Sequence, residues 1–140
     1  MGYIVFLGGF PLLWKSKLIS ETCLSTTEAE YSALSYCLRD LIPVRRLIFE
    51  MAAAMGYTAL IHTTIHEDND ACRLLATTRQ LSSRTKYYLV KMHHFWEWME
   101  KNEDSVTVTR VKSEKQQADY LTKTLPTAGF LNNRLLTQGY

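Results

Sequence analysis

The feature that most constrains the fold is a long amphipathic segment that opens with a helix-capping pattern. Ser25 and Glu28 have the spacing of a capping box, in which the serine caps the helix and the glutamate reaches back. A helix is therefore predicted from about Thr26, with Pro43 kinking or restarting it and Gly56 ending it. Its predicted buried face consists of residues at helical spacing: Glu30, Ala33, Leu34, Cys37, Leu38 and Leu41.

Strands and helices are predicted on both sides of this helix. Residues 3–7 and 12–20 flank a glycine-rich turn and are predicted to form a hairpin. Residues 59–67 are predicted as a third strand, after which Asp68 and Asn69 open a helix. Further along, the pattern predicts a helix over 85–101, a strand over 105–112, a short helix over 114–123, and a tail with a final short helix beyond residue 126. A strand followed by a helix indicates the α/β class.

Length and composition indicate one globular domain, 1–140, divided by these elements into 1–22, 25–56, 59–101, 105–125 and 126–140. Hydrophobic residues make up 46% and charged residues 21%, which excludes a disordered or low-complexity chain. Sixteen Lys and Arg against fourteen Asp and Glu leave a net charge of +2, too small to indicate nucleic acid or membrane by itself. No apolar run reaches the roughly eighteen residues of a membrane helix. The three cysteines lack zinc-site spacing and favour a reducing, cytoplasmic compartment.

Three carboxylates occur where a predicted strand ends or a helix begins: Glu30, Asp68 and Asp119. Glu30 falls on the apolar face of its helix, whereas Glu28 falls on a solvated face. A carboxylate that points inward needs a cation or a metal as its partner, although Glu30 could equally extend to solvent at the helix start. A helix-capping role explains Asp68 better than a metal ligand does, and Asp119 fits a solvated position. Only together do the three suggest a Mg²⁺ site.

A basic and aromatic segment spans residues 71–96 and contains no acid. Its cations would suit the phosphates of a nucleic acid and its rings would offer stacking surface, but a solvated face over a core stripe explains the pattern as well. The adjacent His93 and His94 point about 100° apart on a helix and cannot share an ion. They are interpreted as one surface and one half-buried histidine.

Six short motifs occur in one order between residue 2 and about residue 125. They are GYIVFLGG at 2–9, WKSK at 14–17, LSTTEAEY at 24–31, EDN at 67–69, SRTK at 83–86 and ADYLTK at 118–123. In this order and spacing they resemble the ribonuclease H (RNase H) domain of copia-type, Pseudoviridae-like LTR retrotransposon Pol polyproteins. That family's polyprotein also carries protease, integrase and reverse transcriptase, and the domain cuts the RNA strand of an RNA/DNA hybrid during reverse transcription.

The resemblance implies an RNase H-like fold, a mixed five-stranded sheet flanked by helices, with four acids at its active site. Glu30, Asp68 and Asp119 match three of those acids, which would hold two Mg²⁺ ions (or Mn²⁺) and activate a water against a phosphodiester. The residues expected to contact nucleic acid are Asn69, Arg73, Arg84, Lys86 and Lys91. The implied partners are an RNA/DNA hybrid and an upstream reverse transcriptase domain, with no membrane, and the implied location is a cytoplasmic virus-like particle.

The chain also departs from the family's pattern. The family's Asp-bearing first strand, central in the sheet, has no counterpart before the Gly-Tyr motif, and no Asp precedes Asp40. Residues 82–89 lack two histidines and an acid of the family, and Pro43 falls inside a helix that the family keeps continuous. We therefore expect a truncated RNase H-like domain with impaired cleavage. The alternatives are a non-catalytic nucleic-acid-binding or assembly module, or a decayed fragment.

Without a central strand, residues 3–7 and the strand before Asp68 would face unpaired backbone groups. Three outcomes are possible. Residues 3–7 could pair directly with 59–66, another chain could supply a strand, including by self-association, or the fold could be marginally stable.

Overall fold

A computed structural model describes residues 1–20, 22–78, 89–101 and 106–139, and for Leu89 the backbone alone. After an initial hairpin, the chain combines four helices with two further short strands, so the predicted α/β class is confirmed as small sheets flanked by helices. The strands are β1 (Gly2–Leu7), β2 (Phe10–Ser16), β3 (Thr63–Glu67) and β4 (Val106–Arg110). The helices are α1 (Thr26–Ala54), α2 (Asp70–Thr78), α3 (Leu89–Lys101) and α4 (Thr127–Gln138), with 3₁₀ turns at Ser113–Lys115 and Gln117–Leu121.

The predicted hairpin is confirmed. β1 and β2 pair in antiparallel fashion from Gly2 opposite Ser16 to Leu7 opposite Phe10. The connecting glycines, Gly8 and Gly9, have φ of 58° and 88°, a left-handed conformation that glycine adopts without steric cost. β2 ends at Ser16, four residues before the predicted end at Ser20.

The long helix α1 begins as the capping pattern predicts. The Glu28 N–H donates to Ser25 Oγ at 3.1 Å, and the Leu24 N–H donates to the Glu28 carboxylate at 2.7 Å. The predicted restart near Val44 is wrong, since α1 continues through Pro43 to Ala54, while a kink at Pro43 stays a prediction. Pro43 lies on the exposed side of the helix, where the carbonyl left without a donor can be solvated.

The second half of the chain contains shorter elements than predicted. β3 and β4 run parallel, from Thr63 opposite Val106 to Glu67 opposite Arg110, and residues 59–62 lie outside the strand. The predicted helix over 114–123 is instead two 3₁₀ turns. Gln116, which lies between the two turns, has the extended backbone angles φ −74° and ψ 97°, and these interrupt the hydrogen bonding of a continuous α-helix.

The predicted helix cap at Asp68 is wrong, because Asn69 takes this role. The Cys72 N–H donates to Asn69 Oδ1 at 3.0 Å, and α2 begins at Asp70. An Asx side chain caps a donor two or three residues further on, which places Asn69, and not Asp68, in register with Cys72.

The strands form two separate two-stranded sheets, β1–β2 and β3–β4. Direct pairing of residues 3–7 with 59–66 is therefore wrong, and the described residues do not form the single mixed sheet that the resemblance implies. A groove of about 600 Å³ lies between β1 and residues 61–66, with α1 beneath it. Each of β1 and β3 is paired along one edge only, and residues of both strands line this groove.

The hydrophobic core lies where α1, α2 and α3 meet. Its fully buried side chains include Tyr31, whose ring packs edge-on against Phe95 with centroids 5.8 Å apart. Cys72 is buried in this core, and all three cysteines are reduced thiols. None of the described helices is both long and apolar enough to cross a membrane.

Candidate functional site

Glu30, Asp68 and Asp119 line one small pocket of about 220 Å³, which we call the acid pocket. Glu30 comes from the second turn of α1, Asp68 follows β3 directly, and Asp119 belongs to the second 3₁₀ turn. Lys123 lines the same pocket. Three acids that are far apart in the sequence are thus brought together, while their roles as metal ligands stay predictions.

Glu30 is half-buried on the side of α1 that holds the buried Ala33 and Leu34. Burial raises the pKa of the Glu30 carboxyl, the nearby Asp68 and Asp119 carboxylates raise it further, and the Lys123 ammonium opposes the rise. The helix face predicted from spacing therefore corresponds to a carboxyl group shielded from solvent among other acids.

Asp119 is paired with a cation. Lys123 Nζ lies 2.8 Å from Asp119 Oδ2, and the Asp119 side chain is only 14% exposed. The solvated position considered for Asp119 from sequence is wrong, because the pocket shields it. The hydrogen bond to Asp119 raises the pKa of Lys123, against partial burial, and the charges of Asp119, Asp68 and Glu30 add to the rise.

Glu67 is an acid beside the pocket that sequence reasoning missed. Its side chain is 6% exposed, and the Asn69 N–H donates to Glu67 Oε1 at 3.0 Å. Burial, with the charges of Glu30 and Asp68, raises the pKa of Glu67 to about 7, although the Asn69 bond opposes the rise. Strand alternation could have identified it, because Glu67 falls on the same face of β3 as Ile65.

The acid pocket does not fit a resident metal as the side chains stand. In the described part of the chain, no group of three or more His, Cys, Asp or Glu side chains is placed to hold a metal ion. Carboxylate oxygens suit Mg²⁺ chemically, but the ion requires its ligands at about 2 Å in near-octahedral geometry. The three acids share a pocket without meeting that requirement.

The residues predicted to contact nucleic acid are partly engaged within the protein. Asn69 caps α2, Arg73 Nε lies 3.5 Å from Asp70 Oδ1, and Lys91 Nζ donates to Ser32 Oγ at 3.0 Å. Arg84 and Lys86 lie outside the described residues. Nothing in the described contacts of this basic segment identifies a phosphate site.

The two histidines of α3 also differ from the prediction. His93 and His94 are both exposed, so the expected half-buried histidine is wrong. His93 packs edge-on against Trp96, with ring centroids 5.5 Å apart. The buried face of α3 is occupied by Met92, Phe95 and Trp96, which leaves both histidines on the outer side.

Comparison with known proteins relates the chain to retrotransposon polyproteins. It is 28% identical over 125 residues to the retrovirus-related Pol polyprotein from transposon TNT 1-94 of Nicotiana tabacum, covering 89% of this chain and 9% of that protein. It is 29% identical over 131 residues to the Pol polyprotein from transposon RE2 of Arabidopsis thaliana, covering 94% of this chain and 9% of that protein. The Gag-Pol polyprotein of transposon Ty1-DR1 of Saccharomyces cerevisiae is 26% identical over 137 residues, 98% of this chain and 7% of that protein.

The predicted similarity to retrotransposon Pol polyproteins is thus confirmed, and the chain spans less than a tenth of the length of these relatives. No protein family model and no solved structure matches the chain.

Proposed function

We propose that this chain is an RNase H-type domain of a retroelement Pol polyprotein that engages RNA/DNA hybrid and by itself cleaves the RNA strand weakly or not at all. The observation that carries the proposal is the convergence of Glu30, Asp68 and Asp119 on one pocket. These acids come from three separate segments of a chain that is homologous to Pol polyproteins over most of its length.

Weak cleavage follows from how the carboxylates are held. Mg²⁺ is the proposed cofactor of such an activity, because it would supply an activated water and neutralise charge on the scissile phosphate. The described carboxylates do not fit the ion as they stand, so Glu30, Asp68 and Asp119 would have to rearrange to bind it. That rearrangement costs free energy, since the Lys123–Asp119 ion pair holds one of the three in place.

The separation of the two sheets supports the same conclusion. Asp68 follows β3, whereas Asp119 lies on the 3₁₀ turn against which β1 packs, and no hydrogen bonds join β1 to β3. Catalytic groups act efficiently only when rigid elements hold them within about 0.5 Å of the productive geometry. Two sheets that are not bonded to each other hold their acids less rigidly than one continuous sheet would.

The test is cleavage of an RNA/DNA hybrid with a labelled RNA strand in the presence of Mg²⁺. We expect trace cleavage at most, and we expect Glu30→Gln to remove whatever is present. The control is Glu114→Gln, which neutralises an exposed acid on the first 3₁₀ turn, outside the acid pocket. Robust cleavage by the unaltered chain that Glu30→Gln abolishes would overturn the proposed impairment, and cleavage that Glu30→Gln leaves unchanged would overturn the site.

The second candidate is a non-catalytic nucleic-acid-binding or assembly module. The contacts of Arg73 and Lys91 within the protein do not favour it over the first. Such a module would bind hybrid and duplex DNA alike, with an affinity that falls steeply as salt rises. Affinity for hybrid that does not fall with rising salt would exclude it.

A further inference from the structure

Lys123 is held against the acid pocket by both its backbone and its side chain. The Lys123 N–H donates to the Asp119 carbonyl oxygen at 2.8 Å, while Nζ lies 2.8 Å from Asp119 Oδ2. The Lys123 side chain is 48% exposed and the Asp119 side chain 14% exposed. Lys123 lines the acid pocket together with Glu30 and Asp68.

A second ion pair of the same spacing shows why this one is unusual. Lys101 Nζ and Glu97 Oε1 are 2.6 Å apart on α3, but both side chains are about two-thirds exposed, at 69% and 66%. An exposed pair of this kind contributes little, because water and salt screen it. The Lys123–Asp119 pair is more shielded, at 48% and 14%, and the nearby charges of Asp68 and Glu30 also raise the pKa of Lys123.

Three carboxylates around one pocket repel each other unless a cation lies among them. In the described residues the acids are not placed to share a metal ion, whereas the ammonium of Lys123 is within hydrogen-bonding distance of one of them. We propose that the Lys123 ammonium is a built-in cation of the acid pocket, which stabilises the acids in the absence of metal and weakens the binding of a divalent cation there.

Two consequences follow from the charge. While Lys123 stays paired with Asp119, a divalent cation that enters the pocket meets a positive charge at close range and a carboxylate already engaged. When the charge is removed, the acids lose their counter-ion and a divalent cation becomes the favourable replacement. Lys123 thus lowers the affinity of the acid pocket for a divalent cation. This inference goes beyond the proposed function.

The experiment measures Mg²⁺ binding to the full chain by isothermal titration calorimetry. Lys123→Gln removes the charge, Lys123→Arg keeps it, and Lys101→Gln breaks the exposed pair on α3 as the matched control. We expect Lys123→Gln to bind Mg²⁺ about tenfold more tightly than the unaltered chain, and the other two variants to match the unaltered chain. Lys123→Met, which keeps the aliphatic stem, repeats the test if the glutamine variant fails to fold.

Thermal unfolding gives an independent readout. In EDTA we expect Lys123→Gln to melt at a lower temperature than the unaltered chain and to recover when Mg²⁺ is added, whereas Lys101→Gln should show neither effect. Equal Mg²⁺ affinity of the unaltered chain and Lys123→Gln, or no binding to either, would overturn the proposal. The preference of the chain for RNA/DNA hybrid is measured in a separate experiment. Failure of the Lys123 proposal would therefore not decide whether the proposed function is right.

Discussion

Gly2, the first residue of β1, lies so close to Thr122 that a β-carbon at residue 2 would stand 2.6 Å from the Thr122 methyl carbon. It would also stand 3.2 Å from Leu121 Cβ. In addition, Ser16 Oγ donates to the Leu121 carbonyl oxygen at 2.7 Å. The hairpin thus packs directly on the turn that carries Asp119, and a glycine at residue 2 makes this approach possible.

Gly2→Ala is expected to push the hairpin away from that turn and to lower the free energy of unfolding by about 2 kcal/mol, the usual cost of overpacking. Urea denaturation measures the loss. The control is Gly129→Ala on α4, where the nearest atom to an added β-carbon is Leu125 Cβ at 3.9 Å. That variant should be neutral or slightly stabilising, because alanine favours helix. Equal stability of the two variants would contradict the tight contact.

The raised pKa of Glu67 predicts that the free energy of unfolding falls as the pH rises. Its folded-state pKa is raised from an ordinary 4.5 to about 7, so the folded protein keeps the proton after the unfolded chain has released it. Protonated Glu67 therefore contributes to the free energy of unfolding. This contribution, at most about 3 kcal/mol, is complete below pH 4.5 and is lost as the pH rises through 7. Urea denaturation at a series of pH values measures this slope. We expect Glu67→Gln to flatten it, and an unchanged slope would show that Glu67 ionises normally.

The capping of α2 distinguishes two neighbouring residues. Asn69→Ala removes the acceptor of the Cys72 N–H and is expected to lower the free energy of unfolding by about 1 kcal/mol. Asp68→Ala removes no described cap and one negative charge from the acid pocket, so it should leave stability unchanged or raise it. Chemical denaturation of both variants measures their free energies of unfolding. A greater loss for Asp68→Ala than for Asn69→Ala would show that Asp68 caps the helix.

The groove between β1 and β3 predicts weak self-association. Sheet edges with unpaired backbone groups are templates for pairing with another chain. Sedimentation over a range of protein concentrations should show association that Phe6→Lys reduces, because Phe6 lines the groove. The matched variant is Trp14→Lys, which removes an exposed aromatic ring on β2 outside the groove and should have no such effect. An equal reduction by both variants would indicate general hydrophobic association instead.

The sequence predicts the elements that local chemistry decides. The hairpin depends on Gly8 and Gly9, and the start of α1 depends on Ser25 and Glu28, so both could be predicted from a few neighbouring residues. The inward position of Glu30 could be predicted from the helical period alone. Each of these features has its cause within about one turn of chain.

Features that depend on distant contacts could not be predicted in the same way. β3 pairs with β4, which is more than forty residues away in the sequence (Thr63 pairs with Val106). The burial of Glu67 and the proximity of Lys123 to Glu30 and Asp68 depend on how α1, β3 and the last 3₁₀ turn pack together. The continuation of α1 through Pro43 depends on which side of the helix faces solvent.

The most direct test of the central claim compares the affinity of the chain for an RNA/DNA hybrid with its affinity for duplex DNA of the same sequence, without Mg²⁺ and at fixed salt. An RNase H-type domain should bind the hybrid more tightly. Glu30→Gln should strengthen hybrid binding further, because it removes a negative charge that would face the phosphates, whereas Glu114→Gln should not. Equal affinity for both nucleic acids, unaffected by Glu30→Gln, would contradict the proposal that this chain is an RNase H-type domain that engages hybrid at the acid pocket.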